Sequence, residues 1–481
     1  MQKNMGIFTR IVILLTLLAG VGLPRQGAFA AGTVGDGTPT SCTQAALQTA
    51  LSGGGAVTFN CGAAKVTILI SPAVTISQNT SIDGGGLITL SGNNTSQIFI
   101  VNSGASLGLT GITLTKGSAP QGGAINSRGT LTITNSTFTS NQATSATGQG
   151  GAIYSTGTLN LTNTTFIGNA ASAAGGAVFS SGPLTITGGL FNLNQVGNGL
   201  GGGVYSSGAL AISGTSFTSN FASHTSAASG GGGLFSSGSA AGVSGSTFFA
   251  NTGTPRGGSL YVGGGSLTVT ASTLDSNFSL GADGGGGIYN QGTLVLSQDL
   301  IVSNNASNLG TGSGIQNDPS GILTVTNTTL AYNSAGLGGS AIYNMGGTVT
   351  VTNSTISING GTALNNASGS FSLVNSIVAG NTTNCAGAIT SLGHNLDSAN
   401  TCAFTGTGDL PNTDPKLGPL AANGGPTDTF ALLYGSPAIN SGDNASCPPT
   451  DQRGFHRPQF STCDLGAYEF VLWQFLPAIL K

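Results

Sequence analysis

One phrase recurs along most of this chain. From Gly129 it reads GTLTITNSTFTSN, from Gly157 GTLNLTNTTFIGN, from Gly182 GPLTITGGLFNLN and from Gly208 GALAISGTSFTSN. Later copies begin at Gly265, Gly292, Gly321, Gly347 and Gly369, with a looser one at 238–251. Each copy closes on an Asn: Asn141, Asn169, Asn194, Asn220, Asn251, Asn277, Asn304, Asn333, Asn359 and Asn381, about 27 residues apart on average. Between copies stands a second element, GGAI at Gly122 and Gly150, GGAV at Gly175 and GGGV at Gly201. A fixed period of this length is the mark of an architecture built from stacked units.

Within each copy, apolar residues alternate with Thr or Ser, as in Leu131 and Ile133 or Leu159 and Leu161. That is the period of a half-buried strand. No segment of the repeat carries a helical pattern, so no crossover helix can join neighbouring parallel strands in a flat sheet. Winding copy upon copy satisfies both facts, because each strand pairs in parallel with its equivalents and buries its Leu and Ile inward. The expected fold is all-β, a right-handed parallel β-helix of the pectin lyase-like kind. It has about 12 coils over residues 66–381, at ~4.8 Å per coil. The recurrent Asn is expected to take a left-handed conformation and bond its stacked neighbour, forming a ladder. The GG pairs supply positive φ where the turn needs it. Sequons such as Asn135-Ser136-Thr137 and Asn353-Ser354-Thr355 coincide with the repeat and do not require glycosylation.

Composition narrows the class. Of 481 residues 82 are Gly and only 5% are charged, against a usual ~25%. The Gly lack the every-third-residue period of collagen, and 38% hydrophobic residues argue against disorder. A net charge of −3 gives nucleic acid no hold. The one long apolar stretch lies in residues 1–30. There Lys3 and Arg10 precede an apolar core and Ala28-Phe29-Ala30 forms a cleavage site, the pattern of a signal peptide. The mature chain is then expected to be extracellular or on the cell surface, monomeric, and free of a membrane span.

Residues 31–65 read as an N-terminal cap, with Thr43 to Leu51 the one plausible helix. Residues 382–470 form a loop-rich C-terminal module, richer in charge than the coils, and 471–481 an apolar tail. That tail is either a sorting tag or a strand packed on the last coil. The six Cys fall in three local pairs, and the pairing expected of an exported chain is Cys42 with Cys61, Cys385 with Cys402 and Cys447 with Cys463. No Cys-x2-Cys occurs, so zinc is not expected, nor any other cofactor.

The alternation of GGA[I/V] with F-x-x-N, as in Phe138 to Asn141 and Phe166 to Asn169, resembles the repeats of polymorphic outer membrane proteins, β-helical domains of bacterial surface proteins. The likeness covers roughly residues 107–381. Such proteins end in a membrane β-barrel, and no ten-residue alternating strands of that type follow here, so autotransport is not expected. The C-terminal module resembles the bacterial choice-of-anchor Q domain. The matching stretches are Leu417 to Leu420, Asn423 to Thr427, Gly435 to Ile439, Asp451 to Gly454 and Cys463 to Ala467. That resemblance implies surface attachment.

β-Helices also host polysaccharide lyases and glycoside hydrolases, so catalysis on a glycan is the alternative. Hydrolysis needs two carboxylates some 5–10 Å apart, yet the chain holds one Glu, Glu469. The coil acids Asp275, Asp283, Asp299 and Asp318 lie in different coils at different repeat offsets, and the coil cations are Arg128 and Arg256. The expectation is that stacking brings no two of these acids onto one face and puts neither Arg beside a carboxylate cluster. His224, His394 and His456 have no obvious partner. The densest charge, Asp451, Arg453, His456, Arg457 and Asp464, reads as an ion-pair network or else a ligand or anchor-processing site. The function expected is a non-catalytic, adhesin-like or structural stalk. Its nearly uncharged Ser, Thr and Asn surface would meet glycans or other envelope components.

Overall fold

The computed structural model describes residues 32–223, 229–307, 310–335 and 339–472. Residues 1–30, read above as a signal peptide, His224 and the tail beyond Leu472 lie outside the described residues.

One coil shows how the repeat folds. Thr130–Thr134 and Thr137–Thr139 form a long face bent at Asn135, Gln142–Ala143 a short face, and Ile153–Ser155 a back face before the next copy begins. Each strand pairs in parallel with its equivalent one repeat on, Leu131 opposite Leu159 and Phe138 opposite Phe166. Among the described residues the back face has 13 strands, which gives a parallel β-solenoid of about 13 turns. The handedness rule for parallel connections makes the coil right-handed.

The inward positions form one continuous core. Phe138, Phe166, Phe191, Phe217 and Phe248 are fully buried and stack with ring centroids 4.6–4.9 Å apart. Each such ring contributes about 1.5–3 kcal/mol through burial. Beyond Phe248 the same column continues as Leu274, Ile301, Leu330 and Ile356.

The turn geometry differs from expectation in one respect. The ladder Asn residues are not left-handed; the residue before each one is, as at Ser140 (φ 54), Leu193 (φ 56) and Tyr332 (φ 55). That residue absorbs the sharp bend, which leaves the Asn backbone free to point its side chain into the coil. The first Gly of each GG pair does have positive φ, 64 at Gly150. The second is small for another reason, since a Cβ on Gly151 would stand 2.0 Å from the carbonyl oxygen of Gly176 in the next coil.

Parallel pairing extends past both expected limits. Gly32–Val34 and Gly55–Phe59 already pair in the long-face sheet, so the first coils lie within the segment read as a cap. Their strands escape notice because they lack the repeated phrase. The helix is Gln44–Leu51, N-capped by Thr43, whose hydroxyl accepts from the Ala46 amide at 3.2 Å. It buries Leu47 against the first coil. At the other end Thr383–Gly387, Leu396–Asp397 and Leu410–Pro411 continue the sheets beyond Asn381.

The C-terminal module, from Leu417 on, lies along the side of the last coils. Phe430, Leu417 and Leu420 pack on Leu300, Val302 and Ala331 of the long face. Leu432, Ala438, Leu465, Tyr468 and Phe470 cluster with Ile377, Ala379 and Leu396. Polar contacts accompany them, Thr329 donating to Gln452 Oε1 at 2.7 Å and the Thr355 hydroxyl accepting from the Ala467 amide at 3.0 Å. Disulfides join Cys42 to Cys61, Cys385 to Cys402 and Cys447 to Cys463.

Candidate functional site

The ten closing Asn form an unbroken column. Each Nδ2 donates to Oδ1 of the Asn one coil on, at 2.9–3.1 Å from Asn141 through to Asn381. Each also donates to a long-face carbonyl one coil back, as Asn169 does to Phe138 at 3.0 Å. Asn141 to Asn359 are buried. With amide protons and oxygens engaged inside the coil, this column has nothing left for a ligand.

Three further columns accompany it. Asn290, Asn317, Asn344 and Asn366 make a second amide ladder at the end of the back face, linked at 2.8–2.9 Å. Its signal in the sequence is the run of Tyr289-Asn290, Gln316-Asn317 and Tyr343-Asn344. Ser136, Thr164, Thr215, Ser246 and Ser272 form a buried hydroxyl column just after the long-face bend. Ser272 Oγ accepts from the Ser246 amide at 3.1 Å. Tyr154, Phe179, Tyr205 and Phe235 stack on the back face, and Tyr261 and Tyr289 continue the row edge-to-face.

Asp299 occupies a place in the hydroxyl column. Its carboxyl accepts from the amides of Ser272 at 2.8 Å and Ser297 at 2.9 Å. No cation pairs with it among the described residues, and burial pushes its pKa up to about 8.

The other coil acids correct the sequence reading. Arg256 and Asp283 form an ion pair at 2.8 Å, and Arg256 donates to the Tyr261 hydroxyl at 3.2 Å while lying 4.7 Å over the Tyr289 ring. Tyr261 donates to Gln291 Oε1 at 2.6 Å, and Gln291 donates to Asp318 at 2.6 Å. Arg256 therefore does meet one acid, Asp283 of the next coil, and a second, Asp318, is linked to it through Tyr261 and Gln291. Offsets within the repeat did not foretell this, because Arg256 stacks on Gly284 in the variable loop before the GG pair, and its side chain spans one coil rise. Each carboxylate in this cluster is held by a donor, and burial pushes the phenols of Tyr261 and Tyr289 up, away from use as bases. Asp275 stands apart, accepting from the Ser276 hydroxyl at 2.8 Å.

The charged residues of the C-terminal module form its interior. Arg453 pairs with Asp451 at 2.7 Å and Arg457 with Glu469 at 2.9 Å, all four side chains fully buried. Arg453 lies 3.5 Å over the Tyr468 ring and 4.3 Å over that of Phe455. Asp464 accepts from the Asn440 amide at 2.7 Å. Burial, with Glu469 nearby adding to it, pushes its pKa up to about 7. Burial also raises Glu469 and lowers Arg457. His456 is exposed outside this network, and His394 Nδ1 contacts the Ser441 carbonyl at 2.7 Å.

Among the described residues there is no group of three or more His, Cys, Asp and Glu placed to hold a metal ion. No helix among them is long and apolar enough to cross a membrane. What faces solvent along most of the coil is the long face, where Thr130, Thr132, Thr185, Thr268 and Thr350 alternate with buried Leu, Ile and Val. No known family model matches the chain, and no curated protein matches it. Among solved structures it is similar to the crystal structure of pectate lyase Pel9A, at 13% identity over 92% of this chain and 97% of that one. The TM-score of 0.29 is too low to carry an argument about activity.

Proposed function

We propose that this protein is an exported, surface-associated β-helix without catalytic activity, acting as an adhesin-like or structural stalk. The observation that carries the reading is the fate of its carboxylates. In the Arg256 cluster Asp283 and Asp318, and in the C-terminal module Asp443, Asp451, Asp464 and Glu469, are each bound to a cation, an amide or a hydroxyl, whereas acid–base chemistry on a glycan requires two carboxylates opposed across an open cleft. The three disulfides fit an oxidising compartment, and the likeness of residues 417–467 to choice-of-anchor Q domains supports attachment at the surface. The neutral Thr and Ser rows favour glycans or envelope components as partners. Fractionation of producing cells, with mass spectrometry of the mature chain, tests this. The reading predicts a chain beginning near Ala31 in the envelope fraction, and a cytoplasmic chain retaining residues 1–30 refutes it.

A second reading, a polysaccharide lyase or hydrolase, draws on the gathering of Arg256, Asp283 and Asp318. It requires that substrate displace the donors that hold both acids.

A further inference from the structure

The outward positions in the middle of the long-face strands form one column: Ala56, Ser81, Gly108, Thr132, Asn160, Thr185, Ala211, Gly242, Thr268, each opposite the next across a coil. Where the column carries Thr or Asn it stands up as a ridge. Where it carries small residues it sinks into two concavities. The first, of about 420 Å³, has Ala56, Ser81 and Gly108 on its floor. The second, of about 270 Å³, has Ala211 and Gly242 on its floor and Ser213, Ser244 and Thr270 along one side. Both lie on one line parallel to the coil axis.

Packing does not explain the small residues. A Cβ built on Gly242 would meet no atom within 4 Å, and one on Gly108 would come no nearer than 3.5 Å to anything, with Ser81 Cβ at 3.5 Å, Ser81 Cα at 3.7 Å and the Thr80 carbonyl oxygen at 3.9 Å, all ordinary contacts. The coil would accept at these positions the Thr it carries at Thr132, Thr185 and Thr268. Glycine inside a strand costs stability and often marks the place where a ligand comes close to the backbone. The chemistry of the lining narrows the ligand. Neither concavity is lined by an ionisable side chain, so an anionic or cationic chain finds no counter-charge. The rims instead present hydroxyls that both donate and accept, repeated at the coil spacing of ~4.8 Å.

Resting on the proposed role at a glycan-bearing surface, we infer that the long face binds an uncharged linear polysaccharide lying along the coil axis, seated in these two troughs. Filling a trough should remove its contribution. The test is calorimetric titration of the full chain with cellohexaose, laminarihexaose and mannohexaose, and with hexagalacturonate as the anionic probe. Wild-type protein is expected to bind a neutral hexasaccharide and not the anionic one. The double variant Ala211→Thr/Gly242→Thr, and separately Gly108→Thr, should each lose about tenfold in affinity. Ser244→Ala/Thr270→Val removes rim hydroxyls without filling the trough, and should weaken binding even if a filled variant misfolds. Neutral-glycan binding undiminished in all three variants overturns the trough assignment while leaving the glycan-binding role standing, as does preference for hexagalacturonate. No binding to any glycan overturns both.

Discussion

The side-chain amide of Asn353 donates to the backbone carbonyl of Asp464 at 3.2 Å, joining a coil to the C-terminal module across 111 residues of sequence. Asn353 is the left-handed residue of its long-face bend, φ 43. Its counterparts Asn327 and Asn375 do the same work. Asn327 donates to the Thr450 carbonyl at 2.7 Å, and Asn375 both donates to the Asp443 carbonyl at 3.0 Å and accepts from the Asp443 amide at 2.8 Å. On the free coils the same position is Asn135, which is exposed. One repeat position thus serves as a bare turn in one half of the molecule and as a docking row in the other.

Removing that row should loosen the module. Asn353→Gly keeps the left-handed backbone but removes one of the two donors to the Asp464 carbonyl, the other being Arg457, at a cost of about 0.5–1.5 kcal/mol. Asn135→Gly, at an exposed copy of the same turn, should change stability by less than about 0.5 kcal/mol. Urea denaturation of both variants checks the contrast, and equal effects would mean that the module does not lean on this row.

The inner ladder should be far less tolerant. Asn251 accepts from the amide and the side chain of Asn220 and donates to Phe217 and Asn277. Asn251→Ala orphans these groups in a dry interior, and a loss of at least about 2 kcal/mol is expected. Thermal melting of that variant against Asn135→Gly reads it out.

The buried ion pairs of the module predict an asymmetric response. Arg457→Met leaves Glu469 buried without its cation and should cost about 3–5 kcal/mol. Arg457→Met combined with Glu469→Gln should recover part of the loss. Denaturation of the single and double variants measures the coupling.

Stability should fall as pH rises. Asp299 holds its proton in the folded chain up to about 8 and Asp464 up to about 7, both well above the ordinary 3.8 of an aspartate. Each raised pKa makes the folded state bind a proton that the unfolded state has released. Its stabilisation is therefore whole below about 4 and is lost progressively up to the folded value, after which it stays flat. Asp299→Ser, which restores the hydroxyl found at Ser272 and Ser354, should make the fall in melting temperature between pH 5 and 8 shallower, leaving the part due to Asp464. A wild-type melting temperature that climbs through this range would contradict the assignment.

Much of the architecture was legible because one physical rule repeats: alternating burial sets the strands, and a buried Asn every coil sets the stacking. The Cys pairs were legible because they are local. The first coils and those beyond Asn381 were hidden, since strands such as Gly55–Phe59 and Leu396–Asp397 carry the fold without the phrase. The Arg256–Asp283 pair was hidden too, because it sits in loops whose lengths vary from coil to coil. The module's footprint on Leu300, Val302 and Ala331 left no distinct trace, because the same outward positions are apolar in uncovered coils too, as Ile167, Leu190 and Phe249.

Turnover is the sharpest test of a non-catalytic coil. Full-length protein incubated with pectin, alginate, chondroitin and neutral glucans should release neither new reducing ends nor unsaturated uronates above a buffer blank. Product that forms with wild-type protein and disappears in Asp283→Asn or Arg256→Met would contradict the account and place an active site on the back face.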